Sequence, residues 1–209
     1  MAEKSKAKVV DKWKMKSWYS IIAPETFESR EIGQLVSSDE ANLVNRKVKI
    51  GLGDMTGSFS QSTAYTSLYF RVSEVKGKSA HTKFIGHELV PGYVRTLVRR
   101  RRSVMNQVDD VVTKDGVPVR IKSICISGLK VSEAVRSDVR RAISESVRSL
   151  AKGMDFAVLV QEMVFGKFAA KVYAGVKRIG PIKRVEIRKS QVKETFACFP
   201  FFFFFLVVM

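Results

Sequence analysis

The chain has 209 residues, 45% of them hydrophobic, which is enough for one sizeable core with appendages. Its 37 Lys and Arg face 20 Asp and Glu, a formal charge of +17 with a pI near 10.1, so a polyanion is the expected partner, either nucleic acid or an anionic membrane surface. Cys125 and Cys198 are far apart and form no CxxC pair, which speaks against a disulfide framework or a zinc site and fits a reducing compartment.

In chain order, residues 1–16 carry Lys4, Lys6, Lys8, Lys12, Lys14 and Lys16 against Glu3 and Asp11. So few apolar residues cannot order the segment alone, and it reads as a basic extension that orders on a partner. No apolar run follows the lysines, so no secretory signal is expected. Trp13, inside the lysine run, is placed to stack on a base, whereas Trp18 and Tyr19 are expected to begin the core.

From about 18 to 128 the pattern is mostly strand. Val48, Ile50 and Leu52 alternate with Lys47, Lys49 and Gly51. Over 63–75, Ala64, Thr66, Leu68, Phe70 and Val72 form a core face, and Tyr65, Ser67, Tyr69 and Arg71 the opposite one. Lys76-Gly77-Lys78 turns the chain into a strand over 79–89, on which His81 and His87 would share a face; two imidazoles without a nearby Cys are a poor metal site. A short helix is predicted over 91–101, with Pro91 in its first turn. Asp115-Gly116 marks a hairpin. Short strands joined by turns suggest a closed or nearly closed sheet. From 132 the period changes: Val135, Val139, Ile143, Val147 and Leu150 make one apolar helix face, ended by Gly153. Further helices are predicted over 155–164 and 167–176, and a last strand around Val185 and Ile187. The class is α+β: a mostly antiparallel strand core, C-terminal helices and a basic N-terminal extension. Three segments follow: residues 1–17 as the extension, 18–193 as one domain, and 194–209 as an atypical Phe-rich tail.

Four segments hold nearly all the excess charge. Residues 1–18 contribute +4, and Arg95, Arg99, Arg100, Arg101 and Arg102 contribute +5. Residues 132–152, with Arg140 and Arg141, add +2, and residues 176–189, with Lys177, Arg178, Lys183, Arg184, Arg188 and Lys189, add +5. The remainder is close to neutral, and solubility alone needs no such clustering. Four adjacent guanidiniums at 99–102 repel one another unless phosphates lie on several sides, and the planar Arg fork suits phosphate oxygens. A solvated charge run or a localisation signal is the competing reading. No zinc-finger spacing or RNA-recognition aromatic motif is present, so recognition by phosphate and shape is expected.

Chemistry for catalysis is missing from the pattern. Gly51-Leu52-Gly53-Asp54-Met55-Thr56-Gly57 meets neither the dinucleotide fingerprint nor the P-loop and reads as a strand end and turn. No nucleophile elbow or HExxH motif occurs, and Asp109-Asp110 read as surface acids beside the Arg cluster rather than a metal pair. No cofactor, metal or small-molecule substrate is expected.

Several stretches together carry a resemblance. Val10-Asp11-Lys12-Trp13-Lys14-Met15-Lys16-Ser17-Trp18-Tyr19, then Ala23-Pro24-Glu25-Thr26-Phe27, resemble the opening of the archaeal and eukaryotic small-subunit ribosomal protein family called S-three-A-e or S-one-e. Gly53-Asp54-Met55-Thr56-Gly57, Leu68-Tyr69-Phe70-Arg71-Val72, Val98-Arg99-Arg100-Arg101-Arg102-Ser103, Thr113-Lys114-Asp115-Gly116 and Val185-Glu186-Ile187-Arg188-Lys189-Ser190 follow in the same order as in that family. The resemblance runs from about residue 8 to 193, and the compact length looks archaeal. It implies a β-barrel-like core with helices and a non-catalytic, cytoplasmic place in the small subunit. It also implies a seat on the platform near the messenger exit, against small-subunit ribosomal RNA, neighbouring platform proteins and messenger RNA. Seven of the 14 Phe fall within 196–205, where the sequence departs from the family. The segment 196–209 is shorter than the roughly 20 residues of a spanning helix. It reads as an apolar plug, a shallow anchor, or a reading-frame artefact, the last favoured by its abrupt boundary. A peripheral membrane protein using that tail and a polybasic surface is the alternative from another class, and a free RNA-binding regulator is a third.

Overall fold

The computed structural model describes residue 11 and residues 13–57 and 61–193. Lys4, Lys6, Lys8, Lys12, Cys198 and the Phe-rich segment lie outside the described residues.

Eight strands form one sheet: β1 Ser17–Ile22, β2 Glu31–Ser37, β3 Lys47–Gly51, β4 Thr66–Lys76, β5 Ser79–Leu89, β6 Val104–Val112, β7 Pro118–Ser127 and β8 Ile182–Val192. The helices are α1 Leu52–Thr56, α2 Gln61–Ala64, α3 Pro91–Leu97, α4 Glu133–Lys152, α5 Phe156–Val164 and α6 Lys167–Val176. The main path runs β2-β1-β5-β8-β7-β6, and β4 with β3 branches from β5. β5 has room for three neighbours because β4 takes one edge while β1 and β8 share the other at opposite ends. β4 pairs along its length, β1 in parallel at Ser79, Ala80 and His81, and β8 at Gly86, His87 and Glu88. The other ladders are antiparallel, as the turn signals predict. Among the described residues no ladder joins β2 or β3 to β6, so the sheet branches instead of closing a hydrogen-bonded ring.

The helices α4, α5 and α6 come between β7 and β8 in sequence, and one core cluster joins sheet and helices. Leu68 and Phe70 of β4, Phe84 of β5, Met105 of β6, Ile121 and Cys125 of β7, and Val185 and Ile187 of β8 meet Val139, Ile143 and Val147 of α4 and Phe168 and Val172 of α6. Each such side chain contributes roughly 2 kcal/mol by leaving water. Phe27 packs edge-on against Phe70, with ring centroids 5.6 Å apart.

Several expectations are corrected. Trp18 does not begin the core: β1 alternates, so Tyr19 and Ile21 turn inward while Trp18 stays 60% exposed. The strand predicted from 63 starts at Thr66, and Ala64, the last residue of α2, is exposed. Residues 52–56 after β3 make a short helix rather than a bare turn. The helix predicted over 91–101 stops at Leu97, because Val98 is extended and Arg101 takes φ +60° to swing the chain into β6. Four like charges in successive helical positions would crowd one another, and a turn splays them. His81 and His87 do not share a face. Tyr69 pairs with Gly86 and Phe70 with Phe84, so Ile85 is an extra residue, and this bulge inverts the alternation between the two histidines.

Candidate nucleic-acid interface

The sheet register gathers three of the four basic segments at one end of the molecule. Val104 of β6 pairs with Ile126 of β7, and Ile126 with Arg184 of β8, so Arg102 and Arg184 flank the same row of strand ends. Ser103, next to the arginine block, fixes that block in place. Its N–H donates to the Ser127 hydroxyl at 2.8 Å, and its own hydroxyl accepts from the Val131 N–H and from an Arg136 guanidinium nitrogen, both at 3.1 Å. The block at 99–102 therefore sits beside the first turns of α4, which carry Arg136 and Arg140. The stretch after α6 closes on the same place: the Gly128 N–H donates to the Pro181 carbonyl at 2.7 Å, and Gly180 lies against Val135. Lys177, Arg178, Lys183 and Arg184 are thus brought to this end and are exposed, as are Arg95, Arg99, Arg100 and Arg101; Arg102 is half-buried.

The local electrostatics divide these cations into two groups. Arg140 lies 3.3 Å from Glu133, Arg141 3.7 Å from Asp138 and Arg184 2.6 Å from Glu186. Such exposed pairs hold their partners weakly and can yield to phosphate. No ion pair among the described residues involves Arg99, Arg100, Arg101 or Arg102. Such unneutralised guanidiniums, on a turn next to a sheet end, have the planar donor fork that suits phosphate oxygens.

Other predicted residues lie elsewhere. β1 runs parallel to β5 from its Ser79 end, so Trp13, Lys14 and Lys16 leave from the opposite side of β5 from α3. Trp13 and Lys16 form a cation–π contact of 4.3 Å there. Lys189 faces the outside of the sheet, 3.1 Å from Glu88, and Arg188 is the exposed extra residue at a β8 bulge.

On that outer face the alternation of β4 already sets Tyr69 and Arg71 on one surface that would suit RNA, but the band they join is not legible in the sequence. Lys47 pairs with Arg71, Tyr69 with Gly86, Gly86 with Gln191, Gln191 with Arg120, and Lys189 with Lys122. The result is a basic band across five strands, with Tyr69 in it and a groove of about 210 Å³ between Lys47, Tyr69, Ile85, Gly86, Lys189 and Gln191. The alternation of Lys47 with Lys49 and of Arg120 with Lys122 is legible locally. The branching that sets β3 and β4 beside β8 and β7 is not. Arg120 and Lys193 hydrogen-bond Asp110 on the same face and hold its carboxyl well below the usual range.

The acids at 109 and 110 correct another expectation. They point to opposite faces, but Asp109 is only 1% exposed; it accepts from the Ser144 hydroxyl at 2.5 Å and lies 3.4 Å from Arg148. It anchors α4 to β6 and does not accompany the arginine block. His87 and Ser190 are a buried pair, with Nδ1 and Oγ 2.6 Å apart. Neither is open to a substrate, and burial pushes the imidazole down to about 4, so the ring is a neutral structural link. Burial likewise pushes the Cys125 thiol up to about 12. Among the described residues, no group of three His, Cys, Asp or Glu could hold a metal ion, and no helix is long and apolar enough to cross a membrane.

Comparison with known proteins adds an independent line. The model of the ribosomal S3Ae family matches residues 4–195. A small ribosomal subunit protein eS1 of Saccharolobus islandicus is 39% identical over 184 residues, covering 88% of each chain. Its namesake in Saccharolobus solfataricus is 38% identical over 184 residues, again 88% of each. That of Sulfurisphaera tokodaii is 37% identical over 188 residues, covering 90% of this chain and 96% of the relative.

Proposed function

The chain belongs to the ribosomal S3Ae family, and from that footing we propose that it is a structural, non-catalytic constituent of the small ribosomal subunit, bound to ribosomal RNA. The observation that carries the RNA reading is the convergence of the 99–102 turn, the start of α4 and the 177–184 stretch on one end of the sheet. That end holds phosphates of more than one RNA segment, recognised by position and shape rather than by base edges. The outer band through Lys47, Arg71, Arg120, Lys122 and Lys189 gives a second contact surface on the sheet. Lys4, Lys6, Lys8, Lys12, Trp13, Lys14 and Lys16 belong to an N-terminal extension, residues 1–17, that reaches a separate stretch of RNA. Residues 18–193 act as the single folded domain and 194–209 as an appended tail. The seat is the platform near the messenger exit, among other platform proteins, in the cytoplasm.

Replacing Arg99, Arg100, Arg101 and Arg102 together with Gln tests the reading. The expected result is a protein with an unchanged thermal midpoint whose affinity for small-subunit ribosomal RNA falls at least tenfold at low salt. Unchanged affinity would make the block a solvated run.

A further inference from the structure

Beside the basic end, two aromatic rings and a guanidinium form a ladder that phosphate binding does not require. Tyr65 and Tyr93 stack in parallel, with centroids 4.6 Å apart and planes 9° from one another. The fold brings them together: Thr66 opens β4 opposite Leu89 at the end of β5, and the Val90 N–H donates to the Tyr65 carbonyl at 2.8 Å. The residue before β4 is thereby set against the first turn of α3. The Arg184 guanidinium carbon lies 5.7 Å from the Tyr93 centroid. Tyr93 is buried, whereas Tyr65 remains 39% exposed at the end of the ladder.

Tyr65, the more open of the two rings, can still be covered by another flat group. The surroundings indicate which kind. Arg95 follows Tyr93 by two residues, on another side of the short α3, Lys183 precedes Arg184, and both are exposed and positive. A flat ring attached to a polyanion fits both features, and every nucleobase offers a π face to such a platform. Arg184 approaches the Tyr93 ring, where its charge is attracted to the ring system.

We propose that Tyr65 is the receiving face for one unstacked nucleobase of single-stranded RNA, with Tyr93 stacked behind it, Arg184 against the Tyr93 ring, and the neighbouring basic end holding the adjoining phosphates. This rests on the RNA reading above and deepens it, adding a contact selective for single strands to an interface otherwise built on charge.

The test compares a 12-nucleotide single-stranded RNA carrying one 2-aminopurine with a duplex of the same sequence, using the full chain and its Tyr65→Leu and Tyr65→Phe variants. The single strand should bind with quenching of the 2-aminopurine. Tyr65→Leu should abolish the quenching and weaken single-strand binding by about 5- to 150-fold. Its salt dependence and its affinity for the duplex should not change. Tyr65→Phe, which keeps the ring, should behave as the parent and guards against a folding artefact. Equal losses for single strand and duplex, or undiminished quenching in Tyr65→Leu, would overturn the site while leaving the phosphate reading intact. If the parent chain bound neither RNA, both readings would fall.

Discussion

Gly86 shows how one residue sets the architecture. A Cβ there would lie 2.1 Å from the Ser190 carbonyl oxygen, far inside van der Waals contact and against backbone that cannot turn away. The close approach lets β8 join β5 at the branch, so Gly86→Ala should cost about 3 kcal/mol in urea unfolding; an unchanged midpoint would refute this. His87, the next residue, makes stability depend on pH. Burial holds it neutral and lowers its value from 6.5 to about 4, outweighing the Ile187 carbonyl and nearby Glu88, which favour the charged ring. As pH falls below 6.5 the unfolded chain takes up a proton that the folded chain refuses until about 4. The stabilisation is therefore full above 6.5 and is lost between 6.5 and 4, about 3 kcal/mol in all. Urea midpoints at pH 7 and pH 5 should separate clearly in the parent and much less in His87→Gln. Equal separation in the two proteins would contradict the assignment. Gly86 was not marked in the sequence and His87 only as a partner of His81, because a bulge at Ile85 and a long-range pairing with Ser190 give both their roles.

At the scale of elements, local periodicity was the reliable guide. The strand over 79–89, the Asp115-Gly116 hairpin and the three C-terminal helices stand where alternation, turn chemistry and the 3.6-residue stripe put them. The departures arise where non-local forces act. Leu97 ends α3 early because the following arginines avoid helical crowding, and Trp18 is exposed because strand pairing, not hydrophobicity, sets its direction. The same element gives a sharp expectation for binding. Each phosphate contact removed from the 99–102 turn lowers the slope of log affinity against log salt by about one unit. The quadruple Gln variant should therefore lose between about one and four units. Arg140→Gln, whose cation is already shared with Glu133, should lose less than one. A larger effect for Arg140 would mean that phosphate binding centres on α4.

For the whole molecule, the clustering of charge was legible from composition by segment, and the family from motifs in order. What stayed hidden was which clusters meet. The three internal basic segments, about 80 residues apart from first to last, join only because β6, β7 and β8 align their ends. The band on the outer sheet face arises from strand order in the same way. The Phe-rich segment takes no part in either surface as proposed. Removing residues 195–209 should leave RNA and subunit binding unchanged, whereas a membrane-anchoring role would be abolished. Membership of the small subunit is decided by sedimentation: the full chain mixed with archaeal small ribosomal subunits stripped of their own copy, run through gradients of increasing salt. A subunit protein bound through phosphates should co-migrate stoichiometrically at low salt and be released steeply as salt rises. A chain that stays in the subunit-free fractions at every salt concentration would contradict that membership.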